Sequence, residues 1–555
     1  MKNALLFTLM LFGIPAMAQH TEWIDVLSTG GSKTVTTSMV DSEGNSFIAG
    51  YFQGTCDFDP GTAVYEVTAT TSTQPFLLKL NPNGDFEFVH VFAGDGILNT
   101  KRIIRKASGE LLMAGVIAGT VSFGTTSLVA NDVSGFVCQL AADGTGIWAF
   151  KMGNNVPFTL KDMALASDGS LWIGAEMSGG INLDGIAGND LTTPANNNGV
   201  MIHYNANGQY LGSFVVNVDG ATLVESVSAD EAGNVYFGGS TYTSFSKDAA
   251  MVSMTNTGYA KGYVVRMSND GVGAAGQVYG DDTVPVPGIS GVVIHRLCTD
   301  NQGRLWLAGK VTGSVDLLPG SAAYVYYGEG NGQAVLWRMH QDTVEGALGF
   351  PNTGGLGSES SIRDMAPDLN GNVVVCGSLV GTLSFPSLTL MYSFSGSDAF
   401  VLEADLNGGA LWGGVMQGDL SSTATGIGFG ADGSLFMAGG LSGNLDVDPF
   451  SVFQQVAAGT SQGVFAMKIQ QDAPTGVLNL DGAFDALYPN PAKDYVFGST
   501  MSSGATLRIW DARGALVKSL QGGNAGIWVG DLKPGVYMME TQSDRGLRMQ
   551  RFVKE

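Results

Sequence analysis

Basic residues are scarce: 27 Lys and Arg stand against 50 Asp and Glu, a formal net charge of -23. A chain so short of positive charge lacks the basic surface that a phosphate backbone requires, so no nucleic-acid partner is expected. Cysteine is nearly absent. Cys56, Cys138, Cys298 and Cys376 are scattered with no CxxC spacing, which excludes a thiolate zinc site and a dense disulfide frame. Cys138, Cys298 and Cys376 fall inside strand-like runs and are expected as small buried hydrophobes. After the first twenty residues no apolar run is long enough to span a bilayer as a helix, so no transmembrane segment is expected. No HExxH, GxSxG or phosphate-loop pattern occurs, and the five histidines do not cluster, which leaves no recognisable catalytic centre and no catalytic residue to name.

What the chain does have is 80 glycines and 44% hydrophobic residues, arranged as short apolar runs between turns, the composition of many strands. The acid is uneven. Residues 481–555 hold nine Lys or Arg against eight Asp or Glu, about +1, and Lys2 adds +1, so the middle carries about -25. Solubility outside the cell accounts for this excess; an acidic face for cations is the alternative. Residues 1–18 place Lys2 before an apolar core, Ala4 to Ile14, and end in Ala16, Met17 and Ala18. That is the order of a secretory signal peptide, with Gln19 as the mature start.

From Gln19 to about Asp472 one pattern recurs seven times: a turn glycine, preceded in most copies by an Asp, then an alternating apolar run and a second glycine. The turn glycines are Gly44, Gly109, Gly169, Gly233, Gly303, Gly371 and Gly433, a period of blade size. The second glycines are Gly50, Gly115, Gly239, Gly309, Gly377 and Gly439, with Gly174 and Ala175 in the third copy. They suit close backbone approach near a narrow axis. A third strand follows (76–80, 136–140, 200–204, 263–267, 335–339, 400–404, 464–468), then a turn and an aromatic fourth strand. His203 aligns with Lys79, Arg266, Arg338 and Lys468 on the third strand, which makes it a repeat position and not a unique base. The seventh copy lacks a fourth strand while residues 21–28 are spare, so these are predicted to pair with 464–468, because an open ring would expose a sheet edge.

The repeat, seen best in DSEGNSFIAGYFQGTCDF (41–58), resembles the bacterial secreted β-propeller repeat family, which implies an all-β, seven-bladed propeller over 19–472 whose last blade is closed by the N-terminal strand. After a linker at 473–483, YPNPAKDYV (488–496), LRIWDARGALVKSL (507–520), DLKPGVYMME (531–540) and the RFVKE ending resemble the C-terminal type A sorting domain of the type IX secretion system. The matching positions are Pro489, Asn490, Pro491, Asp494, Gly514, Leu532, Gly535, Tyr537 and Lys554. Turn signals at ARG and KPG predict a small β-sandwich over 484–555. The resemblance implies transit through the periplasm, handling by the type IX machinery through 484–555, and a secreted or outer-surface destination.

Candidate chemistry is sparse. Asp57, Ser122, Asn182, Asp316, Ser384 and Asp446 align after the second strand, each before an apolar residue. A turn cap is expected of them. Asp57 with Asp59, and Asp446 with Asp448, pair two carboxylates as hard ligands for calcium would, an incomplete set and the one cofactor considered. Long loops at 183–199, 280–291 and 352–361 share one face, the expected binding surface for an extracellular protein or glycan. The function expected is that of a monomeric, secreted or surface-held binding module, with a propeller hydrolase or lyase acting on glycan or peptide as the alternative.

Overall fold

The computed structural model describes residues 19–471 and 491–555, apart from 154–157, 184–189, 194–197, 218–220, 248–249, 253–259, 281–290, 318–324, 354–357, 369, 393–395, 406–408, 447–448, 451–454, 498–505, 512–515, 522–525 and 544–545. Among the described residues there is strand and turn but no helix. The chain divides into two compact units, one of them Gln19–Gln471 and the other including Asp472–Glu555.

Alternating apolar runs make the first unit a set of antiparallel sheets. Seven four-stranded sheets occur among its described residues. The first is Lys33–Val40, Ser46–Phe52, Gln74–Leu80 and Phe86–Val91, hydrogen-bonded in chain order, and the next five repeat that order. In the seventh, Ser422–Phe429, Leu435–Asp446 and Gln455–Gln471 are joined on the outside by Gln19–Leu27. The register sets Trp23 opposite Lys468 and Leu27 opposite Val464, so the spare strand pairs as the missing fourth strand required. Trp23 is half-buried: its indole donates to Pro82 O at 3.1 Å and lies 6.2 Å from the Phe436 ring.

The turn chemistry explains the repeat. In the first copy Asp41 Oδ1 accepts from the backbone N–H of Glu43 and of Asn45, each at 2.9 Å, while Gly44 N donates to Asp41 O at 2.9 Å. The chain can close so tightly because all seven turn glycines adopt positive φ, from +72° at Gly303 to +96° at Gly109, a region closed to most side chains.

Packing is between neighbours. One core joins Phe47, Ala49 and Leu77 of the first sheet to Leu111, Met113 and Phe136 of the second. Another joins Ile48, Phe52 and Phe76 of the first to Ala438, Val464 and Ala466 of the seventh. The first strands touch in succession, sheet by sheet, and the first strand of the seventh sheet touches that of the first. Cys56, Cys138 and Cys376 are buried free thiols and Cys298 is half-buried; Cys56 and Cys138 belong to these two cores and the other two to cores between later sheets.

In the second unit Leu516–Gln521, Thr506–Asp511, Gly535–Ser543 and Gly546–Lys554 form a four-stranded sheet, and Tyr495–Val496 pairs with Ile527–Trp528. Val496, Leu507, Ile509, Ile527, Val529, Met539 and Phe552 form a common core.

Candidate ligand-binding cavity

Every first strand of the seven sheets carries one extra residue. The register slips between Val35 and Thr37, Thr100 and Arg102, Leu160 and Asp162, Val224 and Ser226, Ile294 and Arg296, Ile362 and Asp364, and Ala424 and Gly426. A bulge of this kind turns the extra side chain out of the pleat. The second glycines make room for it: a Cβ at Gly50 would stand 2.0 Å from Thr34 O, and one at Gly377 would stand 1.9 Å from Ser361 O. The third sheet has Ala175 at this place and still bulges, so glycine eases the bulge without being indispensable.

The extra residues are Thr36, Lys101, Lys161, Glu225, His295, Arg363 and Thr425, and all seven line a cavity of about 630 Å³. The wall also includes Lys33, where first strands begin, and Gly440 to Ser442, where a second strand nears its end. Lys101, His295 and Arg363 are accessible to water inside it.

Just below, the next residue on each strand forms a second polar layer. Arg102 and Arg296 alternate with Asp162 and Asp364. Arg296 reaches Asp364 at 2.7 Å and Asp162 at 3.4 Å, and Arg102 lies 3.6 Å from Asp162 and 3.9 Å from Asp364. Asp162 also accepts from Ser226 Oγ at 2.6 Å, Val227 N at 3.0 Å and Met163 N at 2.9 Å. Burial raises the pKa of both carboxyls, that of Asp364 to about 6, against the pull of Arg102.

The upper layer is less complete. Lys161 sits 2.9 Å from Glu176 and 3.2 Å from Glu225; burial works against its charge, and the two glutamates more than offset that, raising its pKa. Lys310 pairs with Glu359 at 2.8 Å. Lys101 and Arg363 have neither a hydrogen bond from the side chain nor an ion pair within 4 Å among the described residues. Burial, then Lys161 and Arg363, lower the Lys101 ammonium while Glu225 opposes them. His295 is ringed by protein although water reaches it: burial, then Lys310, Arg363 and Lys161, push it down to about 4, so it is a neutral imidazole at pH 7.

The residues singled out by sequence lie elsewhere. Asp57 ends a short strand, Thr55–Asp57, opposite Glu66, and its Oδ1 accepts from Asp59 N at 3.1 Å and Tyr65 N at 2.9 Å; Asp59 Oδ1 accepts from Gly61 N at 2.7 Å. Asp446 ends a strand opposite Gln455, and Asp448 lies outside the described residues. Among the described residues no group of three or more His, Cys, Asp or Glu is disposed to hold a metal ion. Ser122, Asn182, Asp316 and Ser384 are likewise strand residues, and the apolar neighbours Phe58, Phe123, Leu183, Leu317 and Phe385 are buried. His203 stacks on Trp172 at 4.1 Å as Lys79 lies over Phe47 at 5.5 Å and Lys468 over Phe436 at 5.6 Å, all away from the cavity wall. Of the long loops, 184–189, 194–197, 281–290 and 354–357 lie outside the described residues.

The cavity residues were missed by sequence, yet they carry a signal: each stands eight before a turn glycine (44 - 36, 109 - 101, 169 - 161, 233 - 225, 303 - 295, 371 - 363, 433 - 425). Aligned at that offset they read T, K, K, E, H, R, T, and one residue later T, R, D, S, R, D, G.

In the second unit Tyr537 is buried, stacks on Phe552 at 5.6 Å and donates to Lys533 O at 2.9 Å. Lys554 is buried, bridges to Ala492 and donates to Glu555 O. Asp494 O accepts from Val529 N at 2.8 Å, Leu532 N donates to Val529 O at 3.0 Å, Gly535 opens a strand and Pro491 precedes Ala492. Pro489, Asn490 and Gly514 lie outside the described residues.

Residues 486–555 match the model of a secretion-system C-terminal sorting domain. The type IX tail read from the sequence is therefore present, and it marks the chain for export to the cell surface or beyond. No helix among the described residues is long and apolar enough to cross a membrane. No curated protein matches the chain. Among solved structures it is similar to PorZ, a surface component of the type IX secretion system of Porphyromonas gingivalis, at 12% identity over 96% of this chain and 99% of that one, with a TM-score of 0.15. It is also similar to a luciferin-regenerating enzyme (11% identity, 64% and 87% of the two chains, TM-score 0.30) and to an apocarotenoid oxygenase of Synechocystis (9%, 72% and 94%, TM-score 0.29). At TM-scores this low the likenesses carry no argument about fold or function.

Proposed function

We propose that residues 19–471 form a seven-bladed β-propeller that works outside the cell as a ligand-binding module, delivered by its sorting domain. What supports the reading is the cavity wall: one residue from each of seven sheets, at one repeat position, faces a single chamber. A chamber of about 630 Å³ is within the range of about 300 to 1,000 Å³ usual for small-molecule sites. An enzyme would need a convergent acid and base. Here Glu225 is bound to Lys161 and His295 is held neutral among cations.

Glycan and protein arrays probed with the purified full chain test the function. A saturable signal is expected, lost when cavity residues are changed. Blank arrays together with turnover of glycoside or peptide substrates would replace the binding module with an enzyme. Deleting residues 484–555 should leave the protein inside the outer membrane of a type IX host, and unchanged export would refute delivery by this tail.

A further inference from the structure

We infer that the cavity takes a sugar-sized anionic ligand whose carboxylate, sulfate or phosphate group docks between Lys101 and Arg363. The inference rests on the binding-module reading and gives its ligand a charge.

The first support is a local excess of positive charge where the chain can least be expected to show one. Residues 3–480 carry about -25, yet the extra residues and the charged side chains beside them set Lys101, Lys161, Lys310 and Arg363 against Glu176, Glu225 and Glu359. Lys161 takes up two of these glutamates and Lys310 the third. Lys101 and Arg363 are left over on the wall of one chamber, close enough that Arg363 disfavours the Lys101 charge. Placing like charges together in a partly desolvated chamber costs free energy in the empty protein, and a bound anion would offset that cost.

The second support is the layer beneath. Arg102 and Arg296 are neutralised by Asp162 and Asp364, so the fold can supply carboxylates at this radius and does so one residue away. The lower layer, of which Asp162 and Arg296 also line the chamber, carries no net charge of its own. Lys33, also on the wall, directs its ammonium to Thr29 O at 2.8 Å, so among the extra residues an entering anion would meet uncompensated charge at Lys101 and Arg363. Their chemistry is complementary: a planar guanidinium offers two parallel N–H groups to an oxyanion, and an ammonium adds a mobile point charge. Neutral imidazole at His295 and the Thr36 and Thr425 hydroxyls on the wall suit the uncharged, hydroxylated remainder of a sugar.

Titration calorimetry of the full chain with glucuronate, glucose 6-sulfate, glucose 6-phosphate and glucose tests this. At least one of the three anions should bind saturably, more weakly as salt rises, and glucose should not bind. The three anions separate carboxylate from sulfate and phosphate sources. Lys101→Gln and Arg363→Gln should each weaken that binding by about tenfold or more. Without ligand and at low salt both variants should melt at or above the wild-type temperature, because a repulsion is removed. A lower melting temperature would show the cations to be held by the fold and would overturn the inference. Equal binding of glucose, or anion binding indifferent to both substitutions, would also overturn it. If the anions fail while a neutral array ligand binds, the anion site falls and the binding module stands; if arrays and anions are both blank, both fall.

Discussion

The two polar layers of the cavity lie one residue apart on the same seven strands, but one is balanced and the other is not. In the lower layer two arginines and two aspartates interlock, with backbone and hydroxyl donors completing Asp162. In the upper layer glutamates serve Lys161, and Glu359 serves the neighbouring Lys310, which leaves Lys101 and Arg363 unmatched. The bulge makes the difference. A residue in the regular pleat is held against the neighbouring strand, where an unpaired charge would be costly, whereas the extra residue projects into a chamber that water reaches, where that cost is smaller. The pair of layers thus separates what holds the ring from what the proposed ligand would meet.

That contrast can be broken most directly from below. Asp162→Ala should cost about 3 to 5 kcal/mol, since Arg102 and Arg296 then share one buried carboxylate; urea unfolding measures it, and a loss under about 1 kcal/mol would mean the lower layer is no better tied than an exposed pair. The contrast also presumes that the ring is shut by Gln19–Leu27. Trp23→Ala should cost about 2 kcal/mol, below the range of about 3 to 5 kcal/mol for a fully buried indole, because the ring is half-buried and keeps one hydrogen bond. Thermal melts that do not move would show that closure does not depend on this side chain. In the upper layer Glu225→Gln should cost less than about 1 kcal/mol, since Lys161 retains Glu176.

A further effect is one of pH. His295 falls from 6.5 to about 4 on folding, so its contribution to stability is whole above pH 6.5 and is lost as pH falls toward 4. Asp364 moves the other way, from 3.8 to about 6; its contribution is whole below 3.8 and is lost as pH rises through 6. Comparing wild type with His295→Gln cancels the aspartate, along with Lys161, Lys310, Arg363 and Glu359 around the imidazole. The wild type should lose melting temperature more steeply between pH 6.5 and 4, and parallel curves would remove the histidine from the account.

Much of the sheet pattern was legible because turn chemistry is local. Asp41 and Gly44 specify their hairpin within four residues, the same spacing recurs at Asp230, Asp300 and Asp368, and the positive-φ glycine recurs in all seven copies. The fourth-strand role of residues 21–28 followed from counting. The cavity was not legible, because a bulge breaks the period of two on which a strand is recognised: Lys101 and Arg102 are consecutive, yet one lines the chamber and the other joins the layer below. The second glycines carried the trace of that bulge, but glycine records only that something comes close, and Ala175 shows that the record is imperfect. Asp57 and Asp446 drew attention as paired acids, while the cations that meet in space are scattered over 262 residues of sequence (363 - 101).

The pairing of Gln19–Leu27 with Gln455–Gln471 also fixes an order in time. These strands are 452 residues apart from first to last (471 - 19), so the earliest strand of the unit to be made waits longest for its partner. Each nearer sheet closes a loop of a few tens of residues, while this one closes nearly the whole unit, with the larger entropic penalty that implies. The seventh sheet is therefore the last to be completed. Until then its outer edge and Gln19–Leu27 are each bare of hydrogen-bonding partners, and a chain cut short before residue 464 would never cover either.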